Sequence, residues 1–417
     1  MTLASTTAGS DAAAPVFSCS PSLEGFRLAL FTDTYTPHLN GVTRTLERLV
    51  AEVQRRGGAA KVFTVEAPGT PRPDAVRWPS IPFWAYPEMR LAWPGRRAAI
   101  AELRAFRPTL VQATTQLGVG LAGRAAALSL GVPFVASYHT NLTAYAHHYR
   151  LGALAEPGWR FLRWFHAAAL RTWCPTQAVA DELASHGFTR LGVWGRGVDT
   201  ARFSPSHRSL AFRDALGVGR DEVLVAYVGR IAAEKDVDVA LEAARRAGPP
   251  AQSGVRLVLV GEGPHEASCR ARAPEGAIFT GRLEGAALAA AYASADLFVF
   301  PSRTDTFGNV LVEAMASGLP VVAADVPPTR EVLAGAGDLF PPGDAGALAE
   351  VLLRLAGDRA ARRRSAEAGL AVARRRTWTA VFDALFRDYL TLALDPAVAA
   401  ATAGRRALGA LAPARAS

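Results

Sequence analysis

The chain alternates short apolar runs with amphipathic stretches, pauses once near its middle, and then begins the same alternation again. In the first half the strand candidates are residues 26–32, 60–65, 110–114, 133–138 and 191–195, with helical spacing between them, as over 43–56 and 177–186. The pause falls at Gly197-Val198-Asp199-Thr200-Ala201-Arg202-Phe203-Ser204-Pro205, inside a linker placed near 198–210. The second series is 223–228, 256–260, 277–280, 297–300 and 321–324. Runs that are apolar throughout suit strands buried on both faces, and a strand–helix–strand order makes neighbouring strands parallel. The reading is an α/β molecule of two Rossmann-like, doubly wound domains facing a cleft at the carboxyl ends of their strands. A length of 417 residues also asks for two cores, since single cores seldom grow past roughly 250–300 residues. A last amphipathic segment, 377–392, spaces Trp378, Phe382, Leu385, Phe386, Tyr389 and Leu390 on one face, as a helix crossing back to the first domain would.

The most informative stretch runs from Ser302 to Pro320. Asp305 and Glu313 flank a small-residue loop, Gly308-Asn309, which opens a short helix between two apolar strands. Free N–H groups and the positive end of the helix dipole suit a phosphate, and carboxylates accept hydrogen bonds from hydroxyls. The ligand read from this pattern carries both a phosphate and a polyol.

Three other strand ends carry candidate groups. Gly229-Arg230-Ile231-Ala232-Ala233-Glu234-Lys235 follows the first strand of the second domain, and the Arg fork with the mobile Lys charge suits a diphosphate. The alternative is a solvated turn in which Glu234 neutralises Lys235. In the first domain, Asn40-Gly41-Val42 opens the first helix, where Gly41 lets a ligand approach the backbone or merely serves the turn. Ser137-Tyr138-His139-Thr140-Asn141 ends another strand and offers His139; His147, His148 and His166 have no ligand spacing and read as structural or surface. Asp236 and Asp238 form a D-x-D that reads as a helix start rather than a metal site. Gly261-Glu262-Gly263-Pro264 lacks the third glycine of a dinucleotide fingerprint.

The charge is +9, from 46 Lys and Arg against 37 Asp and Glu, with very few Lys. Either GC-rich coding or attraction to anionic lipid and phosphate ligands accounts for it. The three cysteines, Cys19, Cys174 and Cys269, form no metal pattern, and an odd count argues for a reducing compartment. No signal peptide is read at the start and no apolar run spans a bilayer. Two aromatic segments stand out, Trp78 to Pro87 and Trp159 to Phe165. The first is too rich in proline for a helix and reads as a shaped loop. The second mixes Trp, Phe and Arg as interfacial helices do, or else packs in a core under Arg stems.

With both half-sites assembled, the chain resembles the retaining glycosyltransferases of family 4, which have the GT-B fold, over roughly residues 26–395. The resemblance rests on Asp305-x7-Glu313 in its FGN…EAMASGLPVV context, on Asn40-Gly41-Val42, Ser137–Asn141 and Gly197-Val198-Asp199, and on Arg230…Lys235. It implies that Arg230 and Lys235 hold a donor diphosphate and that Glu313 binds the ribose. It implies that the amides of Phe307, Gly308, Asn309 and Val310 approach the sugar and phosphate, that Gly41 admits the phosphate, and that His139 touches the transferred sugar. The base lies around Gly281-Arg282-Leu283. Two departures mark the chain: Asp305 stands where the family usually has Glu, and the junction reads Trp194-Gly195-Arg196-Gly197-Val198-Asp199 where P-N-G-V-D is common. These resemble a subset containing bacterial GDP-mannose-dependent α-mannosyltransferases acting on glycolipids and sulfoquinovosyl-diacylglycerol synthases.

The implied layout is a disordered start (1–22), an acceptor domain (23–198), a donor domain (199–376), a crossover helix (377–396) and a flexible tail (397–417). The expected reaction moves a hexose, mannose from GDP-mannose, to a glycolipid or lipid-linked acceptor with α-linkage, His139 and Asp305 acting at the sugar. A UDP-sugar donor with a diacylglycerol acceptor is the alternative. So is a non-catalytic protein that only binds a nucleotide sugar. Cations replace a metal at the leaving group, so no metal and no cofactor are expected. Tyr35, Trp84, Tyr86, Trp159, Arg163 and Trp164 are the expected acceptor or membrane contacts. The partners expected are a nucleotide sugar, a lipid acceptor and an anionic membrane surface, with no nucleic acid, at a cytoplasmic or peripheral location.

Overall fold

The structure is a computed structural model and describes residues 20–35, 41–66, 75–83, 86–139 and 155–394. Its strands in chain order begin with β1 (Arg27–Phe31), β2 (Ala59–Val65) and β3 (Ala75–Trp78), then a hairpin of β4 (Ile81–Phe83) and β5 (Tyr86–Leu91). They continue with β6 (Leu110–Ala113), β7 (Phe134–Ser137), β8 (Thr172–Cys174) and β9 (Leu191–Val193). Apart from the hairpin these make one parallel sheet in the order β3-β2-β1-β6-β7-β8-β9. The second half supplies β10 (Val223–Val228), β11 (Val255–Val260), β12 (Ile278–Gly281), β13 (Leu297–Phe300), β14 (Val321–Ala324) and β15 (Gly337–Phe340). They form a second parallel sheet, β12-β11-β10-β13-β14-β15. Both sheets wind outward from their first strand in two directions, the doubly wound order, so each has a switch point where a crevice opens: β1/β6 and β10/β13.

The central strands are apolar because helices cover both faces. Every residue of β10 is buried, as the continuous run Val-Leu-Val-Ala-Tyr-Val requires. The helix Gly41–Arg55 covers one face of the first sheet with Leu46, Leu49, Val50 and Val53. The proline-rich stretch after Trp78 is a correction to the loop reading. Trp78 ends β3 and stacks on Phe63, ring centroids 5.8 Å apart, and Pro82 and Pro87 lie in the isolated antiparallel hairpin. A two-stranded hairpin has open edges, where the missing N–H of Pro82 or Pro87 forfeits no ladder bond.

The chain passes between domains twice at one place. Val198 bridges Thr377 in parallel and its N–H donates to the Arg376 carbonyl at 2.8 Å. Gly197 lies so close to this return strand that a Cβ on it would sit 2.5 Å from the Trp378 nitrogen. The helix Trp378–Leu394 then packs on the first domain, burying Phe382, Leu385, Phe386 and Tyr389 in the same cluster as Leu28 and Leu46. Each such side chain contributes roughly 1.5–3 kcal/mol. Polar contacts fix its register: the Tyr389 hydroxyl donates to Gln112 Oε1 at 2.6 Å, and Asp383 pairs with buried Arg56 at 2.6 Å. Among the described residues no helix is long and apolar enough to cross a membrane.

Candidate active site

The loops after β10 and β13 meet at the switch point of the second sheet, and three consecutive residues of one grip the other. Arg303 makes two bonds to the Asp236 carboxylate, at 2.8 and 2.7 Å. The Thr304 hydroxyl donates to the Glu234 carbonyl at 2.9 Å. Lys235 Nζ donates to Asp305 Oδ1 at 2.8 Å. The Glu234 carboxylate pairs with Arg230 instead, at 3.1 Å. The acid beside Lys235 is therefore Asp305 and not its sequence neighbour, as the solvated-turn reading has it. Lys235 and Asp305 are brought together at the strand ends, and Arg230 of the same loop as Lys235 pairs with Glu234 beside them.

Gly308 follows at φ 76°, a left-handed conformation that glycine adopts without strain. It opens the helix Asn309–Ala316, which has no side-chain cap, so the first-turn N–H groups are unclaimed by a capping side chain. Gly41 faces this turn from the other domain: a Cβ on it would lie 3.0 Å from Asn309 Nδ2. One turn along, Glu313 Oε2 accepts a hydrogen bond from the Tyr292 hydroxyl at 2.9 Å. A pocket between the domains is lined by Glu313 and Asn309 with Arg44, Arg48, Arg202 and Trp378. Desolvation pushes the Glu313 carboxyl above its usual range, while Tyr292 and the three guanidiniums pull the other way. The Phe307 side chain belongs to the core, and Leu283 and Val310 pack partly buried against it, so what Phe307 offers a ligand is backbone.

His139 closes the opposite wall at the end of β7. Its carbonyl accepts from the Thr306 hydroxyl across the cleft at 3.0 Å, and the Thr176 hydroxyl donates to the Thr306 carbonyl at 3.2 Å. Its ring is buried, with Nδ1 2.8 Å from Arg196 Nη2 and the edge of Trp194 at 5.5 Å. Burial, and then the Arg196 charge, hold the imidazole well below its ordinary pKa.

Asp33 stands at the switch point of the first sheet. Its Oδ1 accepts from the Val119 N–H at 3.0 Å, while Oδ2 is buried with no partner among the described residues. Burial raises its pKa to about 7. Away from the cleft, Asp238, His265 and Cys269 place three donor atoms within 4.8 Å of one another. The chain already fills that cluster with a cation, since Arg272 lies 2.8 Å from Asp238. Burial, first among the causes, lifts the Cys269 thiol to about 11.

The expected acceptor and membrane contacts divide. Tyr35 is 2% exposed, packed with the first-domain core. Trp159 is 6% exposed because it stacks on His186 at 3.8 Å and edges Phe188. Both are corrected to core residues: at their positions the strand end and the inner helix face are covered by neighbouring elements. Arg163 is half-buried, bonded to Glu156 and to the His186 carbonyl. Trp164 is 51% exposed, with the Arg124 guanidinium 3.9 Å above its ring. Trp84, Asn40, Thr140, Asn141, His147, His148 and Cys19 lie outside the described residues, and Tyr86 is seen only as the first residue of β5. Sequence reasoning missed Tyr292, Arg196, Thr306 and the guanidiniums of Arg44, Arg48 and Arg202. Arg44 and Arg48 had one signal, their places three and seven residues after Gly41 along one helix face.

Residues 222–358 match the family described as glycosyl transferases group 1, and residues 39–202 match Glycosyltransferase Family 4. The chain is 37% identical over 319 residues to a GDP-mannose-dependent alpha-mannosyltransferase of Mycolicibacterium smegmatis, covering 74% of this chain and 82% of that one. It is 32% identical to sulfoquinovosyl transferase SQD2 of Arabidopsis thaliana, covering 76% and 64%. Among solved structures, sucrose-phosphate synthase from Thermosynechococcus elongatus superposes with a TM-score of 0.71 at 19% identity, covering 88% of this chain and 99% of that one.

Proposed function

The chain belongs to the family 4 glycosyltransferases, and we propose that within them it is a retaining enzyme moving mannose from GDP-mannose to a glycolipid or lipid-linked acceptor in α-linkage. The observation that carries this reading is the likeness to the mycobacterial mannosyltransferase over three quarters of the chain, joined to the cationic loop pair at the second switch point. Glu313 holds the ribose hydroxyls. Arg230, Lys235 and the first turn after Gly308 hold the diphosphate. His139 and Asp305 flank the sugar.

The chemistry follows from that placement. The acceptor oxygen forms a bond to the anomeric carbon on the face from which the phosphate oxygen departs. The anomeric carbon–oxygen bond breaks with its electron pair going to the diphosphate. A leaving phosphate oxygen takes the proton of the acceptor hydroxyl, and the products are the glycoside and GDP. Negative charge grows on the diphosphate as its bond breaks, where prearranged cations and helix N–H groups contribute most. With those cations in place of a metal, turnover is independent of divalent ions. The acceptor side lies on the first domain, whose exposed Trp164 under Arg124 suits the surface of an anionic bilayer.

A donor panel tests the proposal. Purified protein is given each nucleotide sugar with membrane lipid, and release of nucleoside diphosphate and sugar transfer are followed, with and without a chelator. Turnover with GDP-mannose, unaffected by chelation, is the expected result. Turnover with UDP-glucose or UDP-sulfoquinovose alone selects the second reading, which the likeness to the sulfoquinovosyl transferase favours. Tight nucleotide binding without turnover of any donor identifies a protein that only senses its ligand.

A further inference from the structure

The junction motif departs from the common family form at Arg196, and that side chain is the one that reaches His139. Arg196 is 5% exposed. Its Nη1 donates to the carbonyls of Trp194 and Gly195, at 2.6 and 3.1 Å, and its guanidinium lies over the Trp194 indole at 5.0 Å. The remaining arm, Nη2, points at His139 Nδ1 from 2.8 Å. A guanidinium has donors only and keeps its proton. In this bond Arg196 must donate, and Nδ1 must present a lone pair. A neutral imidazole whose Nδ1 is an acceptor carries its hydrogen on Nε2.

His139 Nε2 is buried and has no partner among the described residues. A buried donor left unpaired costs about 1–3 kcal/mol, so it is a position waiting for an acceptor. We propose that Arg196 is a positioning residue that fixes His139 as the Nε2–H tautomer, so that the ring offers one hydrogen-bond donor to a hydroxyl oxygen of the transferred sugar.

The assignment of the acceptor rests on the glycosyl-transfer reading; the tautomer does not. Held this way, His139 has no lone pair at Nε2 and cannot take the acceptor's proton. That leaves the proton to the departing phosphate oxygen. Burial, and then the Arg196 charge, disfavour the doubly protonated ring as well, which keeps His139 neutral through the working pH range.

The test is nitrogen-15 NMR of the histidine ring in the uniformly labelled full-length enzyme, with His139 assigned by loss of its signals in His139→Gln. The expected spectrum has a pyridine-type Nδ1 and a pyrrole-type Nε2, unchanged between pH 6 and 8. A pyrrole-type Nδ1, or a doubly protonated ring, overturns the proposal. Arg196→Met is expected to admit the other tautomer and to lower kcat about 100-fold while donor affinity changes less than threefold. Arg196→Lys, which keeps a charged donor, restores most of the rate. If Arg196→Met leaves the ring signals as they were, Arg196 is only a strut at the junction and the proposal fails. Should that variant not fold, the wild-type spectrum still decides. An Nε2–H spectrum in a protein that turns over no donor leaves the tautomer standing and removes the sugar as its target.

Discussion

Lys235 Nζ lies 2.8 Å from Asp305 Oδ1, and this pair joins two loops whose residues are 70 apart in sequence. Lys235 is one of only two lysines in a chain otherwise supplied with arginine. A mobile ammonium needs an anchor to stand at a fixed place, and Asp305 provides it; on the proposed reading that place is beside the donor diphosphate. Both side chains are only about a fifth to a quarter exposed, so removing one partner also costs stability, on the order of 1–3 kcal/mol. Turnover falls as well: Asp305→Asn is expected to lower kcat about tenfold or more, and Asp305→Glu to keep most of the rate. Steady-state kinetics beside thermal melts separate the two effects. A fully active Asp305→Asn enzyme shows that the pair has no part in placing Lys235.

A second prediction concerns Glu313. Tyr292 is fully buried and its hydroxyl donates to Glu313 Oε2. That bond stabilises the charged carboxylate and so lowers a pKa that desolvation has raised. Tyr292→Phe removes the lowering contribution and moves the acid limb of kcat/KM for the donor to higher pH. If Glu313 holds the donor ribose as proposed, KM for the donor rises even above that limb, because the carboxylate has lost the bond that orients it. A pH–rate profile that superposes on the parent's after normalisation contradicts this.

Legibility followed burial. The strands β10, β11, β13 and β14 are apolar on both faces but for Arg256 near the start of β11, and their limits are read from sequence to within a residue. The strands missed are β3, the hairpin strands β4 and β5, β8 and β15. β8 has only three residues, too few to show a period. β15 is an edge strand reading Gly-Asp-Leu-Phe, with Asp338 and Leu339 reaching solvent. The candidate site divides in the same way. Gly41, His139, Arg230 and Lys235 sit at strand ends or helix starts, and Glu313 one turn into a helix, which sequence order predicts. Their partners do not: Tyr292 for Glu313 and Arg196 for His139 are set by which loops the two sheets bring face to face. The pairing of Lys235 with Asp305 rather than Glu234 is decided by the crevice between β10 and β13, and no local pattern carries that information.

Domain closure supplies a third prediction. The Glu331 carboxylate of the second domain accepts from the Gln177 and Ala178 N–H groups, both at 2.8 Å. These open the helix Gln177–Ser185 of the first domain, so an acid caps a helix across the cleft. Such charge-assisted bonds with a helix dipole are worth about 1–2 kcal/mol. Glu331→Ala is expected to favour open arrangements, visible as a larger radius of gyration in X-ray scattering and as a higher donor KM. A scattering curve identical to the parent's, with an unchanged KM, removes the cap from any account of closure.

The fourth prediction is a pH dependence of stability from Asp33. Its carboxyl is held at about 7 in the folded chain against 3.8 for the free group. Between those values the unfolded chain has released this proton and the folded chain retains it. The folded state binds more protons there, so this group's contribution falls as pH rises from about 4 to about 7, then stays level. The separation corresponds to roughly 4 kcal/mol. Asp33→Asn removes the titration and keeps an amide oxygen to accept the Val119 N–H. Other carboxylates titrate alike in both proteins, so the difference between them isolates Asp33. Urea unfolding at pH 5, 6, 7 and 8 should show the variant gaining on the parent at each step up to pH 7, with little further gain at pH 8. A difference that is flat across this range means that Asp33 ionises in the folded chain as it does in the unfolded one, and that its unpartnered oxygen is reached by solvent.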